Sequence, residues 1–322
     1  MLDRSHHFKL RKSLSCVVIN LLCSIHIPGI GPESTVKEFG WNRVQYGGIL
    51  ETQTSGAGIG IALAGGRSII DLGQITFAQD AWGQIVLQAA KMRFKVGYKR
   101  DCPAIFKITF AGGTTLTVHH SGTMHNWLAN APGLMVAVPS TPYDVVGLYR
   151  TALRTAKDPL VMMAGGVGSN KGIVPDNDYT VPFGKADIKR PGKDVTIVAI
   201  AYWVQVALDA AEDLAKQGIQ AEVWDPRMLI PLDRASLIAS VKKTGAMVVV
   251  DQAPKSYGTT GEFMATVAET IFPIPPMARC ATKDVPIGAN PKIIDYIYPT
   301  KDKIIKAVKD VLERKRQVMG SK

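Results

Sequence analysis

The chain has 322 residues, a length that allows two domains of ordinary size, each with its own core. Hydrophobic residues make up 46% and charged residues 20%, a balance typical of globular proteins that excludes a disordered or fibrous chain. The formal net charge of +11 is spread along the sequence and increases mainly at its two ends. We therefore favour solvated basic faces over a nucleic-acid partner.

The cysteine pattern indicates the cellular compartment and the kinds of metal site that the chain can form. Cys16, Cys23, Cys102 and Cys280 form no CxxC pair and no Cys/His ligand spacing. Neither a disulfide framework nor a structural zinc is expected. A reducing compartment is indicated, which is the cytoplasm, or the mitochondrial matrix if the source is eukaryotic.

The first 32 residues combine a basic start with an apolar stretch over residues 14–27. Asn20 and His26 interrupt this stretch, and it is too short and too polar to span a bilayer comfortably, so no membrane partner is expected. Its features fit either a targeting segment or a buried strand. We favour a strand, or a poorly defined start.

Glu51 is an acid that leads into a glycine-rich apolar helix predicted for residues 55–66. A carboxylate at such a position is expected to be partly buried, and a buried acid needs a partner. A protonatable ring nitrogen of a cofactor is the candidate. The glycines do not follow GxGxxG and no clear strand precedes them, so close packing at a subunit interface is favoured over dinucleotide binding.

From about residue 65 onward, strand-like apolar runs alternate with helical patterns, which predicts parallel sheets with crossover helices. Asp233 is expected as a helix N-cap and Gly218 as a C-cap glycine. The predicted strands cover residues 104–110, 134–138, 195–201, 220–225 and 247–251, and the predicted helices cover 81–94, 143–155, 204–216, 233–242, 260–271 and 301–322.

A segment rich in Gly, Pro, Asn and Asp separates two α/β regions. The predicted ranges are a divergent start at 1–32, a first domain at 33–170, a linker at 171–192 and a second domain at 193–322.

His119 and His120 follow a strand and a glycine-rich loop, where the site residues of α/β sheets usually stand. Two adjacent histidines alone do not define a site. The chain has no GxSxG elbow, no P-loop, no HExxH and no Gly-Asp-Gly, so a self-contained hydrolase, phosphate or metal site is missing.

Taken together, the sequence resembles the beta subunits of thiamine diphosphate-dependent 2-oxoacid dehydrogenases, the group that covers pyruvate, branched-chain 2-oxoacid and acetoin dehydrogenases. The similarity runs from about residue 32 to 314 and preserves the order of the motifs. The matching stretches are 49–51 with the glycine-rich helix, 84–91, 120–121, 131–144, 227–233 and 261–262.

This resemblance implies two doubly wound α/β domains, a thiamine diphosphate pyrimidine-binding domain followed by a transketolase C-terminal domain. It implies that Glu51 hydrogen-bonds the aminopyrimidine ring and promotes its imino tautomer, and that Phe77 stacks on that ring. An ordinary core phenylalanine is the alternative for Phe77. His120 matches a histidine thought to act on intermediates as a lipoyl group is acylated, which suits a side chain that titrates near neutrality.

The resemblance also explains the missing Gly-Asp-Gly, because in this family the alpha subunit carries that motif with magnesium and the diphosphate. It implies an α2β2 heterotetramer, a lipoyl acyltransferase core as a further partner and a 2-oxoacid as substrate. The family binds potassium near the end of the helix predicted to finish at Thr155, and Asp158 is the candidate ligand.

The chain departs from the family pattern in four places. Residues 1–32 lack the usual opening, Gly83 and Leu87 replace a common aspartate and asparagine, and Ile287-Gly288 replaces a usual pair near the end. These departures favour a non-catalytic scaffolding paralogue, while the retention of Glu51 with Phe77 and His120 argues for an active enzyme. A further alternative is the C-terminal half of a split transketolase.

Overall fold

The structure is a computed structural model that describes residues 16–20, 32–46, 48–110, 112–164, 172–288 and 290–320. Within these residues the strands form one sheet of seven and one sheet of five. The strands are β1 (Cys16–Asn20), β2 (Val44–Tyr46), β3 (Arg67–Gln74), β4 (Ala104–Thr109), β5 (Met135–Ala137), β6 (Leu160–Met163), β7 (Asp187–Arg190), β8 (Val195–Ala199), β9 (Ala221–Asp225), β10 (Met228–Ile230), β11 (Met247–Pro254) and β12 (Met277–Thr282).

Parallel pairing dominates both sheets, which confirms the predicted α/β class. The first sheet has the order β10-β5-β6-β4-β3-β1-β2, and the second has the order β12-β11-β8-β9-β7. Only the edge pairs β10 with β5 and β7 with β9 are antiparallel within the described residues. Central strands such as β8 are buried at every residue, as expected where helices cover both faces of a parallel sheet.

The helices lie between these strands and mostly follow the predicted spans. They are α1 (Pro32–Phe39), α2 (Glu51–Leu63), α3 (Ala90–Lys95), α4 (His125–Ala129), α5 (Pro142–Thr155), α6 (Trp203–Ala215), α7 (Arg234–Thr244), α8 (Thr260–Ala268), α9 (Ile294–Ile297) and α10 (Lys301–Gly320). None of the described helices has the length and apolarity needed to cross a bilayer.

Three predicted helices differ from the structure. The helix predicted for residues 260–271 ends at Ala268. Helix α2 begins at Glu51 and ends at Leu63, whereas residues 55–66 were predicted. A carboxylate in the first turn interacts favourably with the helix dipole, and Gly65 at φ +94° lies in a conformation that does not continue a helix. The helix predicted at 81–94 is a 3₁₀ turn (Ala78–Ala81), a π-helix (Gly83–Ala89) and then α3.

The predicted helix caps are confirmed. The Asp233 side chain accepts a hydrogen bond of 3.1 Å from the Ser236 N–H at the start of α7. Gly218 follows α6 with φ +81°, a left-handed conformation that glycine adopts without strain.

The N-terminal stretch contributes a strand to the first sheet. Strand β1 lies between β2 and β3 and pairs with both in parallel. The strand favoured for residues 14–27 is therefore confirmed for residues 16–20, and the rest of that stretch lies outside the described residues.

The two sheets are connected by strands as well as by apolar packing. Strand β10 follows β9 of the second sheet in sequence but pairs with β5 of the first. Strand β7 lies inside the segment predicted as linker, yet it forms the edge of the second sheet. We call each sheet with the helices that pack on it a unit. One buried apolar cluster contains Phe106 of the first unit together with Trp224 and Phe263 of the second unit. The two units thus share part of one core.

A buried network of charges lies at the same junction. Lys189 Nζ lies 2.7 Å from Asp144 Oδ2, 2.7 Å from Asp187 Oδ2 and 3.6 Å from Asp225 Oδ2. Arg227 Nε lies 2.7 Å from Asp144 Oδ1, a charge contact whose angles are not those of a hydrogen bond. Burial raises the pKa of Asp225 to about 6, although the nearby Lys189 acts in the opposite direction.

Candidate active site

Glu51 occupies the first turn of α2, and its side chain is almost buried at 7% exposure. Its carboxylate makes no hydrogen bond and no ion pair to any residue that the structure describes. Burying an ionised carboxylate without a partner costs free energy. The expected partly buried acid is therefore present, and the described part of the chain supplies no partner for it.

Helix α2 is fixed against the sheet by a close approach at Gly58. A Cβ atom at this position would lie 2.4 Å from Ile70 Cγ1 of β3. The Ser68 hydroxyl of the same strand donates a hydrogen bond of 2.8 Å to the Gly58 carbonyl. One glycine of the predicted helix thus serves packing within the chain, while Gly60 has no atom within 4 Å of its Cβ position.

A second contact connects the start of α2 to the segment that carries Phe77. The Thr52 hydroxyl donates a hydrogen bond to the Asp80 carbonyl, and the Asp80 N–H donates one of 3.1 Å to the Phe77 carbonyl. The residue next to Glu51 is therefore bonded into the turn that begins at Phe77.

Phe77 and His120 lie together although 43 positions separate them in the sequence. Their ring centroids are 4.6 Å apart and their planes are inclined by 46°. Both side chains are only partly buried, so each ring keeps an accessible surface. The structure thus brings together two of the predicted site residues, while His119 beside them is exposed.

The His120 ring is oriented by residues at the carboxyl end of β3. Thr76 Oγ1 lies 3.1 Å from His120 Nδ1. The Gln74 amide donates to the His120 carbonyl, and Gln74 is itself buried. Nδ1 is thus engaged, while Nε2 has no hydrogen bond among the described residues.

Asp158, the candidate potassium ligand, lies elsewhere. Both of its carboxylate oxygens accept hydrogen bonds from Arg93 NH1, at 3.0 and 2.9 Å. The geometry favours an ion pair at this position over a cation ligand. The described residues also contain no cluster of three or more His, Cys, Asp or Glu side chains that could hold a metal ion.

Comparisons with known proteins identify relatives over most of the chain. The chain is 36% identical over 280 residues to the acetoin:2,6-dichlorophenolindophenol oxidoreductase subunit beta of Bacillus subtilis (strain 168), covering 86% of this chain and 82% of that protein. The 2-oxoisovalerate dehydrogenase subunit beta of the same strain is 35% identical over 282 residues, which are 86% of each chain. A Staphylococcus epidermidis pyruvate dehydrogenase E1 component subunit beta is 33% identical over 285 residues, which are 87% of each.

The chain belongs to the 2-oxoacid dehydrogenase beta-subunit family. Residues 31–165 match the family model of the transketolase pyrimidine binding domain, and residues 184–304 match that of the transketolase C-terminal domain. The fold is shared with a solved structure of a split gene transketolase, an inactive beta4 tetramer, with a TM-score of 0.78 and 24% identity over 94% of this chain and 93% of that one. At that identity the likeness concerns the fold alone.

Four residues at which this chain departs from the family pattern lie in the π-helix and beside the second core. Gly83 and Leu87 both belong to the exposed side of the π-helix, where Leu87 is 63% exposed. Ile287 is buried in the second core, and a Cβ on Gly288 would lie 2.7 Å from Ile293 Cδ1. None of these residues contacts Phe77 or His120 in a described hydrogen bond or ring contact.

Sequence reasoning missed several residues that shape the site. Thr76 stands directly before Phe77, and a hydroxyl at the end of a parallel strand is a signal that points to it. His125 and Asp251 form a buried pair at 2.9 Å between the two units, yet they are 126 positions apart. No local pattern indicates such a pairing.

Proposed function

We propose that this chain is the beta subunit of a thiamine diphosphate-dependent 2-oxoacid dehydrogenase. With an alpha subunit, it would decarboxylate a 2-oxoacid oxidatively and transfer the acyl group to a lipoyl group. The observation that carries the proposal is a nearly buried Glu51 without a described partner, next to Thr52, whose hydroxyl bonds to the turn that begins at Phe77. The Phe77 ring in turn lies beside that of His120. The names of the relatives support a 2-oxoacid or acetoin as substrate.

The residues of this chain fit the pyrimidine part of thiamine diphosphate. Glu51 offers a carboxylate with no partner in the described chain, which suits a ring nitrogen that carries or takes up a proton. Phe77 offers a partly exposed ring, the surface on which a flat heterocycle packs. When bound, the cofactor supplies the carbon nucleophile that attacks the 2-oxoacid carbonyl.

The chain's own residues then have separate tasks. Glu51 would form a hydrogen bond to a nitrogen of the pyrimidine ring and would favour the tautomer needed for cofactor activation. Phe77 orients the ring and excludes water from one face of it. His120, with Nδ1 fixed by Thr76, donates or accepts a proton through Nε2 during acyl transfer.

An alpha subunit would complete the site. Magnesium and the diphosphate would be held by this partner, as the resemblance to the family implies. The exposed face of α2 contains small residues such as Ala57 and Gly60 that allow close approach of another backbone. An α2β2 heterotetramer that docks on a lipoyl acyltransferase core is the assembly we propose, and the free buried thiols Cys102 and Cys280 fit a reducing compartment.

The decisive experiment replaces Glu51 in the complete complex. The chain is coexpressed with its alpha subunit, and 2-oxoacid-dependent reduction of 2,6-dichlorophenolindophenol is measured with thiamine diphosphate and magnesium. We expect Glu51→Gln to reduce kcat by roughly 10²–10⁴-fold, the range that general acid–base groups contribute. Glu313→Gln, on the exposed side of α10, is the matched control and should retain full activity.

Unchanged turnover in Glu51→Gln would contradict the assigned role. A preference for ketose phosphates over 2-oxoacids as donors would favour the split transketolase. Calorimetry that shows no heat of thiamine diphosphate binding to the complex would favour the scaffolding paralogue.

A further inference from the structure

The loop that carries His120 spans residues 112–124, between β4 and α4. Its ends are contacted by two consecutive residues, Asp251 and Gln252, which belong to β11 of the second sheet. Gln252 contacts Gly113, seven positions before His120, and Asp251 contacts His125, five positions after it. We call these four residues the interdomain clasp.

At the first end, polar contacts and packing restrict the loop. Gln252 Oε1 accepts a hydrogen bond of 3.4 Å from the Gly113 N–H, and Gln252 Nε2 donates one of 3.3 Å to the Tyr298 hydroxyl. That hydroxyl donates to the Thr114 carbonyl at 3.2 Å. Gly113 has φ +69°, and a Cβ there would lie 2.5 Å from Tyr202. The backbone therefore approaches the second unit as closely as glycine permits.

At the second end, the contact is buried. His125 Nε2 lies 2.9 Å from Asp251 Oδ2, and the two side chains are 2% and 1% exposed. The Thr259 hydroxyl donates to the same Asp251 oxygen. Next to this pair, Asn126 Nδ2 donates a hydrogen bond of 3.0 Å to the Tyr257 carbonyl. Helix α4 is thus connected at its first two residues to β11 and to the segment that follows it.

The buried pair is poorly suited to a purely stabilising role. His125 Nδ1 and Asp251 Oδ1 have no hydrogen-bond partner among the described residues. Desolvating such groups offsets much of their mutual attraction, so an apolar pair of similar volume would serve stability equally well. What a directional pair adds is a defined relative position of the two units.

We propose that Asp251 is a positioning residue, which acts through His125 and together with Gln252 to hold the His120 loop in its productive geometry. The second unit of the chain thereby sets the position of an imidazole that the first unit contributes. This inference rests on the proposed function of His120. A displacement of about 1 Å at a reacting group is enough to cost on the order of a hundredfold in rate.

The test compares Asp251→Asn with the wild-type α/β complex, using Asp310→Asn on α10 as the control of the same chemistry. We expect Asp251→Asn to lower kcat for acylation of a lipoyl domain about tenfold, with KM for the 2-oxoacid changed by less than about twofold. The same substitution is also made in a His120→Gln background. There it should lower the remaining rate by less than about twofold, because residues that act as one unit are not additive.

An equal loss in both backgrounds would overturn the proposal, because it would show that Asp251 acts independently of His120. Tyr298→Phe, which removes one hydroxyl at the other end of the loop, is the second variant if Asp251→Asn does not fold. It should show the same dependence on His120, with a smaller effect.

Hydrogen exchange separates this proposal from the proposed function. In the complex carrying Asp251→Asn, amides of residues 112–124 should exchange several-fold faster than in the wild type, while Asp310→Asn leaves them unchanged. If the wild-type complex turned over no 2-oxoacid, the proposed function would be refuted. If Asp251→Asn left the exchange of residues 112–124 unchanged, the positioning role of the interdomain clasp would be refuted.

Discussion

The contact between Gly58 of α2 and Ile70 of β3 provides a quantitative test of how the glycine-rich helix is held. Alanine at position 58 would place its Cβ 2.4 Å from Ile70 Cγ1 and 2.5 Å from Cδ1. Ile70 is fully buried and β-branched, so its side chain has little freedom to move away. Overpacking of this kind costs about 1–3 kcal/mol, against a gain of up to about 1 kcal/mol in helix propensity. We expect Gly58→Ala to lower the free energy of unfolding by about 1–2 kcal/mol.

The matched variant is Gly60→Ala, two residues along the same helix, where no atom lies within 4 Å of the Cβ position. It should raise the free energy of unfolding by up to about 1 kcal/mol. Both variants of the full chain are measured by guanidinium unfolding, followed by circular dichroism. Because the strain lies about 10 Å along the helix from Glu51, Gly58→Ala should also reduce the activity of the α/β complex. Equal stability of the two variants would refute the reasoning.

Two further predictions concern the buried charges at the junction of the sheets. The pKa of Asp225 is raised to about 6 by burial, so the folded state binds this proton more tightly than the unfolded state does. The resulting contribution to stability is present at pH 4 and is lost as the pH rises through 6. The unfolding free energy of wild type minus that of Asp225→Asn should therefore fall between pH 4 and pH 7, and a flat difference would show that Asp225 does not titrate there. Arg227→Met should cost about 3–5 kcal/mol because it leaves the fully buried Asp144 with one cation fewer. Arg154→Met removes an exposed ion pair with Asp178 and should cost less than about 1 kcal/mol. If urea unfolding showed similar losses of stability for Arg227→Met and Arg154→Met, the distinction between buried and exposed pairs would be contradicted.

Much of the fold was accessible from local patterns. The alternation of strands and helices, the Asp233 cap and the amphipathic C-terminal helix are confirmed, because each depends on residues close in sequence. The start of α2 was misplaced, since an apolar run does not show which preceding residue begins the helix. The division of the region around residues 81–94 into a 3₁₀ turn, a π-helix and an α-helix was not predicted from the sequence.

The candidate site shows the same limit. Glu51 was identified by its chemistry, a carboxylate before an apolar helix, and its near burial without a described partner agrees with that reasoning. The roles of Glu51, Phe77 and His120 came from the resemblance and stay predictions. Asp158 was a plausible oxygen ligand by position, but its oxygens face Arg93 from 65 residues away.

The sequence by itself determined the fold class, the family and the identity of the three side chains, because periodicity, capping and motif order are properties of neighbouring residues. Only the tertiary structure decided that the ring centroids of Phe77 and His120 lie 4.6 Å apart and that Gly58 allows α2 to pack closely on β3. It also decided that Asp251 pairs with His125 across the two units. Such contacts join residues many positions apart, and their distances are set by how strands, helices and loops pack. A linear pattern contains the residues of this site, while packing fixes the geometry on which its chemistry depends.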